Sequence, residues 1–230
     1  MLKKRIICGL SGGMDSTTMV GKFLDDGNHV LTINFKYGSK HNFYEYEAQR
    51  KVFDFYKKKY TDFLIGSPME LDLTHIFQNM SSNLLKTGGD IPEGHYTDSS
   101  MSLTVVPGRN SIFTMIMMGI AQTLNYDAVA LGIHQGDHAI YPDCRKEYYE
   151  YLKKTVELAT ESTVTVLAPF IDIDKTKIIQ EGMKFNAPYV LTRTCYKNQE
   201  TSCGKCGSCV ERLEAFRNNN IPDPIKYDEE

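Results

Sequence analysis

No stretch of this 230-residue chain holds the roughly 18 to 20 consecutive apolar residues that a membrane-spanning helix needs. Its opening, Met1-Leu-Lys-Lys-Arg-Ile-Ile-Cys-Gly-Leu10, is too short in its apolar part for a signal peptide and leads straight into a motif. A cytoplasmic protein without membrane contact is therefore the expectation. Positive charge is not in surplus either: 26 Lys and Arg stand against 29 Asp and Glu, a net charge of −3. With a pI near 6.1 the chain has no general attraction for phosphate backbones, so no direct nucleic-acid partner is expected. Internal repeats and low-complexity tracts are absent. What remains is an ordinary globular profile, 41% hydrophobic and 24% charged. At this length it can bury a full core in one domain with at most a small appendage.

Residues 5–10 read as a buried strand, 11–16 as a turn, and 17–25 as a helix. A second strand over 30–35 precedes a charged amphipathic helix over 44–60, and 63–65 read as a weak third strand. Residues 79–100, polar and Gly-rich, read as a long surface loop of the kind that serves as a lid or binding segment. Then follow a strongly apolar helix over 111–124, a buried strand over 127–133 and a second polar loop over 134–145. A helix over 147–161, a strand over 164–167 and a helix over 175–185 complete the set ahead of a Cys-rich segment. This alternation predicts an α/β fold, a parallel sheet with helices on both faces, whose ligands collect beyond the carboxyl ends of the strands.

The Walker pattern Gly-x-x-x-x-Gly-Lys-[Ser/Thr] and the dinucleotide fingerprint Gly-x-Gly-x-x-Gly are both missing. In their place Ser11-Gly12-Gly13-Met14-Asp15-Ser16-Thr17 follows the first strand directly. A strand that stops at Ser-Gly-Gly and restarts as a helix gathers unpaired backbone N–H groups at a helix N-terminus. There they and the helix dipole favour an anion. Two adjacent glycines let the backbone approach a phosphate with no Cβ in between, and Ser11 and Ser16 add hydroxyls. Asp15 suits such a cradle only if it caps the helix or helps hold a metal ion. For Gly-Gly alone a plain strand–turn–helix junction is the competing reading; the whole string points to phosphate.

With a reducing interior expected, the six Cys read as metal ligands or core thiols rather than disulfides. Cys203, Cys206 and Cys209 are spaced two residues apart, with Cys195 eight positions before the first. Four thiolates within so short a segment satisfy a closed tetrahedral zinc site, which is structural because no position stays open for water. Gly204 and Gly207 each follow a Cys, where a tight knuckle can turn amides toward sulfur. An iron–sulfur cluster is the competing reading, but position 213, where the ferredoxin spacing leads toward a further Cys, is Leu. Cys8 lies in the first strand and reads as a core thiol.

Smaller groups of residues carry chemistry only in context. Pro107-Gly-Arg-Asn110 precedes a helix, where Asn110 can cap while Arg109 reaches a phosphate or carboxylate with its fork. Tyr141-Pro-Asp-Cys-Arg145, with His134, Asp137 and His138, has the polar reach of a substrate pocket. Asp137 or Asp143 would meet the N–H edge of a purine-like base, a solvated turn being the competing reading. Asp174-Lys175-Thr-Lys177 opens a helix and can bring an ammonium to a phosphate, and Tyr37-Gly-Ser-Lys-His41 follows the second strand at the presumed ligand edge.

In series these motifs resemble one family, the 7-cyano-7-deazaguanine synthases of queuosine biosynthesis, within the PP-loop ATP pyrophosphatase superfamily. Ser11-Gly-Gly-x-Asp-Ser-Thr17, Phe35-x-Tyr-Gly-x-x-His41, Val106-Pro-Gly-Arg-Asn110, Tyr141-Pro-Asp-Cys-Arg145 and Asp174-Lys175 occur in that family's order. Thr194-Cys-Tyr196 and Cys203-Gly-x-Cys-x-x-Cys-x-x-Arg212 follow, so the resemblance spans about residues 5 to 216. It implies a Rossmann-like, adenine nucleotide α-hydrolase-like domain over residues 1–190 and a zinc-binding segment over 191–230. It also implies ATP along Leu10, Ser11, Gly12, Gly13, Met14, Asp15, Ser16 and Thr17, and Zn2+ on Cys195, Cys203, Cys206 and Cys209. Ser11, Asp15, Ser16, Arg109 and Lys175 would serve the reaction; Tyr37, His41, Arg109, Asp137, Tyr141, Asp143 and Arg145 would surround the substrate. The implied reaction joins ammonia to 7-carboxy-7-deazaguanine with ATP and Mg2+, through an adenylated carboxylate and an amide, to the nitrile. A homodimer is implied too. Where the family commonly reads Asp-Phe-Ser-Gly this chain has Asp137-His-Ala-Ile140, so a relative stopping at 7-amido-7-deazaguanine is the alternative. A tRNA-modifying adenylating enzyme of the same superfamily is a more distant one.

Overall fold

In the computed structural model, which describes residues 3–95 and 99–228, the first strand already sorts the core. Ile6 and Cys8 enter one apolar cluster and Ile7 the other, as the two-residue period of a strand requires. The strands are β1 (Arg5–Gly9), β2 (His29–Lys36), β3 (Met69–Asp72), β4 (Ala128–Ala130) and β5 (Thr165–Leu167). They form one sheet in the order β3-β2-β1-β4-β5, and every pairing is parallel. The helices are α1 (Met14–Asp25), α2 (Asn42–Lys59), α3 (Thr74–Phe77), α4 (Arg109–Leu124), α5 (Lys146–Ala159), α6 (Lys175–Lys184) and α7 (Gly207–Asn218). Met19 and Val20 of α1, Val52 and Tyr56 of α2 and Ile178 of α6 cover the Ile6 face. Met117 and Ala121 of α4 and Leu152 and Val156 of α5 cover the Ile7 face. The expected parallel sheet with helices on both faces is therefore present. Its chain order reverses between β1 and β4, the switch point at which such sheets bind ligands.

Three expectations change. Residues 63–65 make only an isolated bridge, Leu64 to Val30. Pro68, which has no N–H to give a ladder, intervenes before the chain pairs with β2 as β3. Met-Glu-Leu-Asp is a weak β pattern with alternate residues exposed, as an edge strand allows. The stretch 79–100 is more than a surface loop, because Leu84 and Leu85 are buried with Tyr37, Phe77 and Val106; its residues 96–98 lie outside the described residues. By length and composition the helical stretch Ser99–Leu124 suffices to cross a bilayer, contrary to expectation. It is interrupted, however, between the 3-10 turn Ser99–Thr104 and α4 by a segment containing Pro107 and Gly108, and Met117 and Ala121 pack on the sheet. It is a core helix.

The Cys-rich segment leads into α7, a helix the sequence reading did not anticipate. Ala215 and Phe216 of α7 pack against Met14 of α1, Ile179 of α6 and Tyr189. Arg212, fully buried, donates to Asp223 at 2.7 and 2.9 Å, to the Thr192 and Thr194 hydroxyls at 2.7 and 3.0 Å, and to the Tyr189 carbonyl at 3.1 Å. These bonds seat α7 beside the N-terminal end of α1.

Candidate active site

The loop after β1 is built as a cradle. Gly13 is the N-cap of α1 with no side-chain cap, so the first amides of the helix have no intrahelical acceptor. The serines hold the turn rather than cap it: the Ser11 amide donates to Ser16 Oγ at 3.2 Å, the Gly13 amide to Ser11 Oγ at 3.1 Å, and the hydroxyls lie 3.0 Å apart. Gly12 has a φ of 85°, and its carbonyl accepts the Arg193 amide at 2.9 Å. Gly12 and Thr17 stand outside the cleft lining, and Thr17 is buried. Asp15 does not cap α1. Its Oδ2 lies 3.5 Å from Lys175 Nζ and 3.7 Å from His134 Nε2, while its Oδ1 has no hydrogen-bond partner among the described residues.

This cradle opens into a cavity of about 240 Å3 at the switch point, lined from several elements. The phosphate loop supplies Ser11, Gly13, Asp15 and Ser16; β2 and its extension supply Asn34, Phe35 and Tyr37; α4 supplies Arg109 and Phe113. Asp137, Tyr141, Lys175 and Tyr196 close it. Its phosphate-loop end is polar and the Phe35–Phe113 pair, stacked at 4.1 Å, gives it an apolar wall.

Arg109 is the free anchor of this cavity. Its Nη1 donates to Tyr37 Oη at 3.4 Å and its guanidinium lies 5.7 Å from the Tyr37 ring, but it makes no ion pair among the described residues. Burial disfavours its charge, but its surroundings, among them the nearby Asp143 carboxylate, outweigh that effect and hold it charged. A charged, half-buried fork without a carboxylate partner fits an anionic ligand. Tyr37 is pushed up to about 12 by burial and the Glu45 charge, so it is a neutral O–H. His41, 3% exposed, turns Nε2 toward Glu45 Oε2 at 3.2 Å, while its Nδ1 has no hydrogen-bond partner among the described residues.

Not every residue singled out in the sequence reaches the cavity. Asp143 is absent from the lining; its Oδ2 accepts the Asn110 amide at 3.0 Å in the first turn of α4. Asn110 is therefore inside the helix, and Gly108, in the left-handed region at φ 64°, is the N-cap. Arg145 is exposed and donates to the His138 carbonyl at 3.0 Å, away from the cavity. Asp137 and Tyr141 do line it, and Tyr141 Oη pairs with Thr104 Oγ1 at 2.8 Å. Asn34, Glu45 and Arg193 also line the cavity and Glu211 pairs with Lys175 behind it, none of them marked by a sequence motif. They come from separate elements and share no spacing motif; only the fold unites them.

Cys195, Cys203, Cys206 and Cys209 are all buried, with their sulfur atoms within 4.8 Å of one another. Backbone amides point at these sulfurs. Lys197 and Cys203 donate to Cys195 Sγ at 3.4 Å each, and Lys205 and Cys206 to Cys203 Sγ at 3.4 and 3.3 Å. Gly204, at φ 69°, makes the second of these knuckles possible, as expected. Hydrogen bonds among the four thiols pull Cys203 down and push Cys195 and Cys209 up. The donor set fits a tetrahedral thiolate-bound ion.

A model of the family described as queuosine biosynthesis protein QueC matches residues 5–220 of this chain. Among curated proteins, the chain is 41% identical over 225 residues to the 7-cyano-7-deazaguanine synthase of Caldicellulosiruptor saccharolyticus, covering 97% of this chain and 96% of that one. It is 39% identical over 227 residues to 7-cyano-7-deazaguanine synthase 1 of Colwellia psychrerythraea, covering 99% and 100%. Against the Hahella chejuensis synthase the values are 38% over 228 residues, covering 99% and 95%.

Proposed function

The chain belongs to the family of queuosine biosynthesis protein QueC, and on that premise we propose that it is an ATP-dependent carbon–nitrogen ligase. It converts 7-carboxy-7-deazaguanine and ammonia into 7-cyano-7-deazaguanine. The observation that carries this reading is one cavity with two anion receptors, the uncapped α1 N-terminus and the Arg109 guanidinium, which donates to Tyr37 and has no ion-pair partner among the described residues.

The steps balance. A substrate carboxylate oxygen attacks the α-phosphorus of ATP and pyrophosphate leaves; ammonia then attacks the acyl carbon, expels AMP and loses a proton to leave the amide. The amide oxygen attacks the α-phosphorus of a second ATP and a second pyrophosphate leaves; loss of AMP and the two N–H protons then gives the nitrile. In this reading Ser11, Ser16 and the α1 amides hold the leaving pyrophosphate, and Lys175 places an ammonium beside it. Arg109 clamps the carboxylate, while Tyr37, Tyr141 and Asp137 face the base. His41 offers Nδ1 as an acceptor because Glu45 takes its other nitrogen. Holding both reactants in one cavity supplies much of the rate by orientation.

The unpartnered Asp15 Oδ1 fits a Mg2+ ion carried by the nucleotide, whose charge would ease departure of pyrophosphate. The four buried thiols fit a structural Zn2+ in the segment over residues 191–230, appended to the nucleotide domain over 1–190. A homodimer belongs to the same proposal. Of the divergent stretch 137–140, only Asp137 lines the cavity and Ile140 packs on the core, which favours the full reaction over one ending at the amide.

The adenylation half is tested without ammonia. Labelled pyrophosphate should exchange into ATP only when 7-carboxy-7-deazaguanine is present. Exchange that ignores the carboxylate, or no exchange at all, contradicts the proposal.

A further inference from the structure

Behind the phosphate loop, four separate elements bring charged groups together. Lys175, the first residue of α6 and 5% exposed, places Nζ 2.6 Å from Glu211 Oε2 and 3.5 Å from Asp15 Oδ2. Burial alone favours the neutral amine; Asp15 and Glu211 outweigh it and hold the ammonium. His134 Nε2 faces Asp137 Oδ2 at 3.4 Å and Asp15 Oδ2 at 3.7 Å. Glu211 Oε1 takes the space over Gly136, where a Cβ would lie 2.5 Å from it.

His134, Asp137 and Glu211 offer three atoms within 4.8 Å, a spacing that can hold a divalent cation. Two observations favour an internal ion pair instead. The Lys175 ammonium already lies between the Glu211 and Asp15 carboxylates. His134 Nδ1 accepts the Gly136 amide at 3.1 Å, which leaves the proton on Nε2, the nitrogen that faces the carboxylates. A protonated nitrogen cannot ligate a metal.

Glu211 itself is held from behind. It lies on α7, whose N-cap is Cys206, whose first turn carries Cys209, and whose next residue, Arg212, is buried in five hydrogen bonds. Ser208, in the same turn, donates to the Thr194 carbonyl at 2.8 Å and lines the cavity. Without Glu211 the ammonium would be left to the Asp15 and Asp137 carboxylates, and its closest partner, at 2.6 Å, would be gone.

We propose that Glu211 is a positioning residue for the nucleotide: it holds Lys175 beside Asp15 and ties the cysteine-bearing helix to the phosphate loop. The inference rests on the reading of the cavity as an ATP site. It makes the thiol knuckle part of the active-site scaffold, because the start of α7 sets where the Glu211 carboxylate stands.

The test is calorimetric titration of ATP into the full-length, metal-loaded protein without carboxylate substrate. Wild type, E211Q, K175M and the double variant are compared, and metal released from the thiols is counted for each. E211Q should weaken ATP binding about tenfold, the scale of one charge-assisted hydrogen bond. In the K175M background the same substitution should change the affinity less than about twofold, because Glu211 acts only through Lys175. Metal content should equal that of wild type. The inference is overturned if E211Q binds ATP like wild type, if its effect is equal in both backgrounds, or if it loses metal along with affinity. Failure of the wild type itself to bind ATP would instead sink the nucleotide reading, and this inference with it.

Discussion

A methyl group on Gly12 would lie 2.4 Å from the Gln49 amide nitrogen and 2.9 Å from the Glu45 carbonyl oxygen, both backbone atoms of α2. Its φ of 85° adds backbone strain for any other residue. Gly12 is thus required by the helix packed against it, whereas the sequence motif suggested a close approach to phosphate. Gly13, at φ −72°, is the residue of the pair that lines the cleft. Gly12→Ala should destabilise the protein by about 2–4 kcal/mol, seen in thermal unfolding. A melting temperature equal to that of wild type would show that α2 yields freely. The cysteines give a second residue-scale prediction. Zinc takes thiolates, so protons compete with it. Hydrogen bonds from the neighbouring thiols pull Cys203 down and, with burial, push Cys209 up, so the full set of thiolates is lost as pH falls. Metal retained against a fixed chelator should therefore decrease from about pH 8 to about pH 5. Cys8 and Cys144, buried and pushed up by desolvation, should stay unreactive to thiol reagents until the protein unfolds.

At the scale of elements, α7 is the least legible and the most consequential. Its charged, Cys-rich sequence has little helical apolar period, and its buried face joins Ala215 and Phe216 to a buried Arg212 and Cys209 rather than forming a plain apolar stripe. Arg212 and Asp223 have side chains 0% and 4% exposed, so removing either leaves a buried charge without its partner. Arg212→Met should cost about 3–5 kcal/mol in denaturant unfolding, and should weaken ATP binding as α7 loosens. Loss of stability without loss of ATP affinity would detach α7 from the phosphate loop. The β1–loop–α1 unit was legible for the opposite reason: its signal is local, an apolar strand followed by a glycine turn and a capless helix start. β3 was misplaced because Met69–Asp72 takes its strand form from pairing with β2, which no local pattern announces.

At the scale of the whole molecule, function arises where the sheet order reverses. The β1 and β4 loops diverge there, and α4, α6 and α7 each lend one charged residue: Arg109, Lys175 and Glu211. Arg109 and Lys175 were legible because each sits in a short motif; Glu211 and Arg193 were not, since only chain folding over long separations brings them to the loop. Asp143 and Arg145 are motif residues outside the cavity lining, whose side chains serve the α4 start and the His138 carbonyl. The account requires that one cavity activate a carboxylate and then its amide. Purified protein incubated with 7-carboxy-7-deazaguanine, excess ATP, Mg2+ and ammonium, with products followed by mass spectrometry, tests this most directly. The account predicts the nitrile with two AMP and two pyrophosphate for each molecule formed. An amide that persists while ATP remains, or an untouched base in the presence of bound ATP, would contradict it.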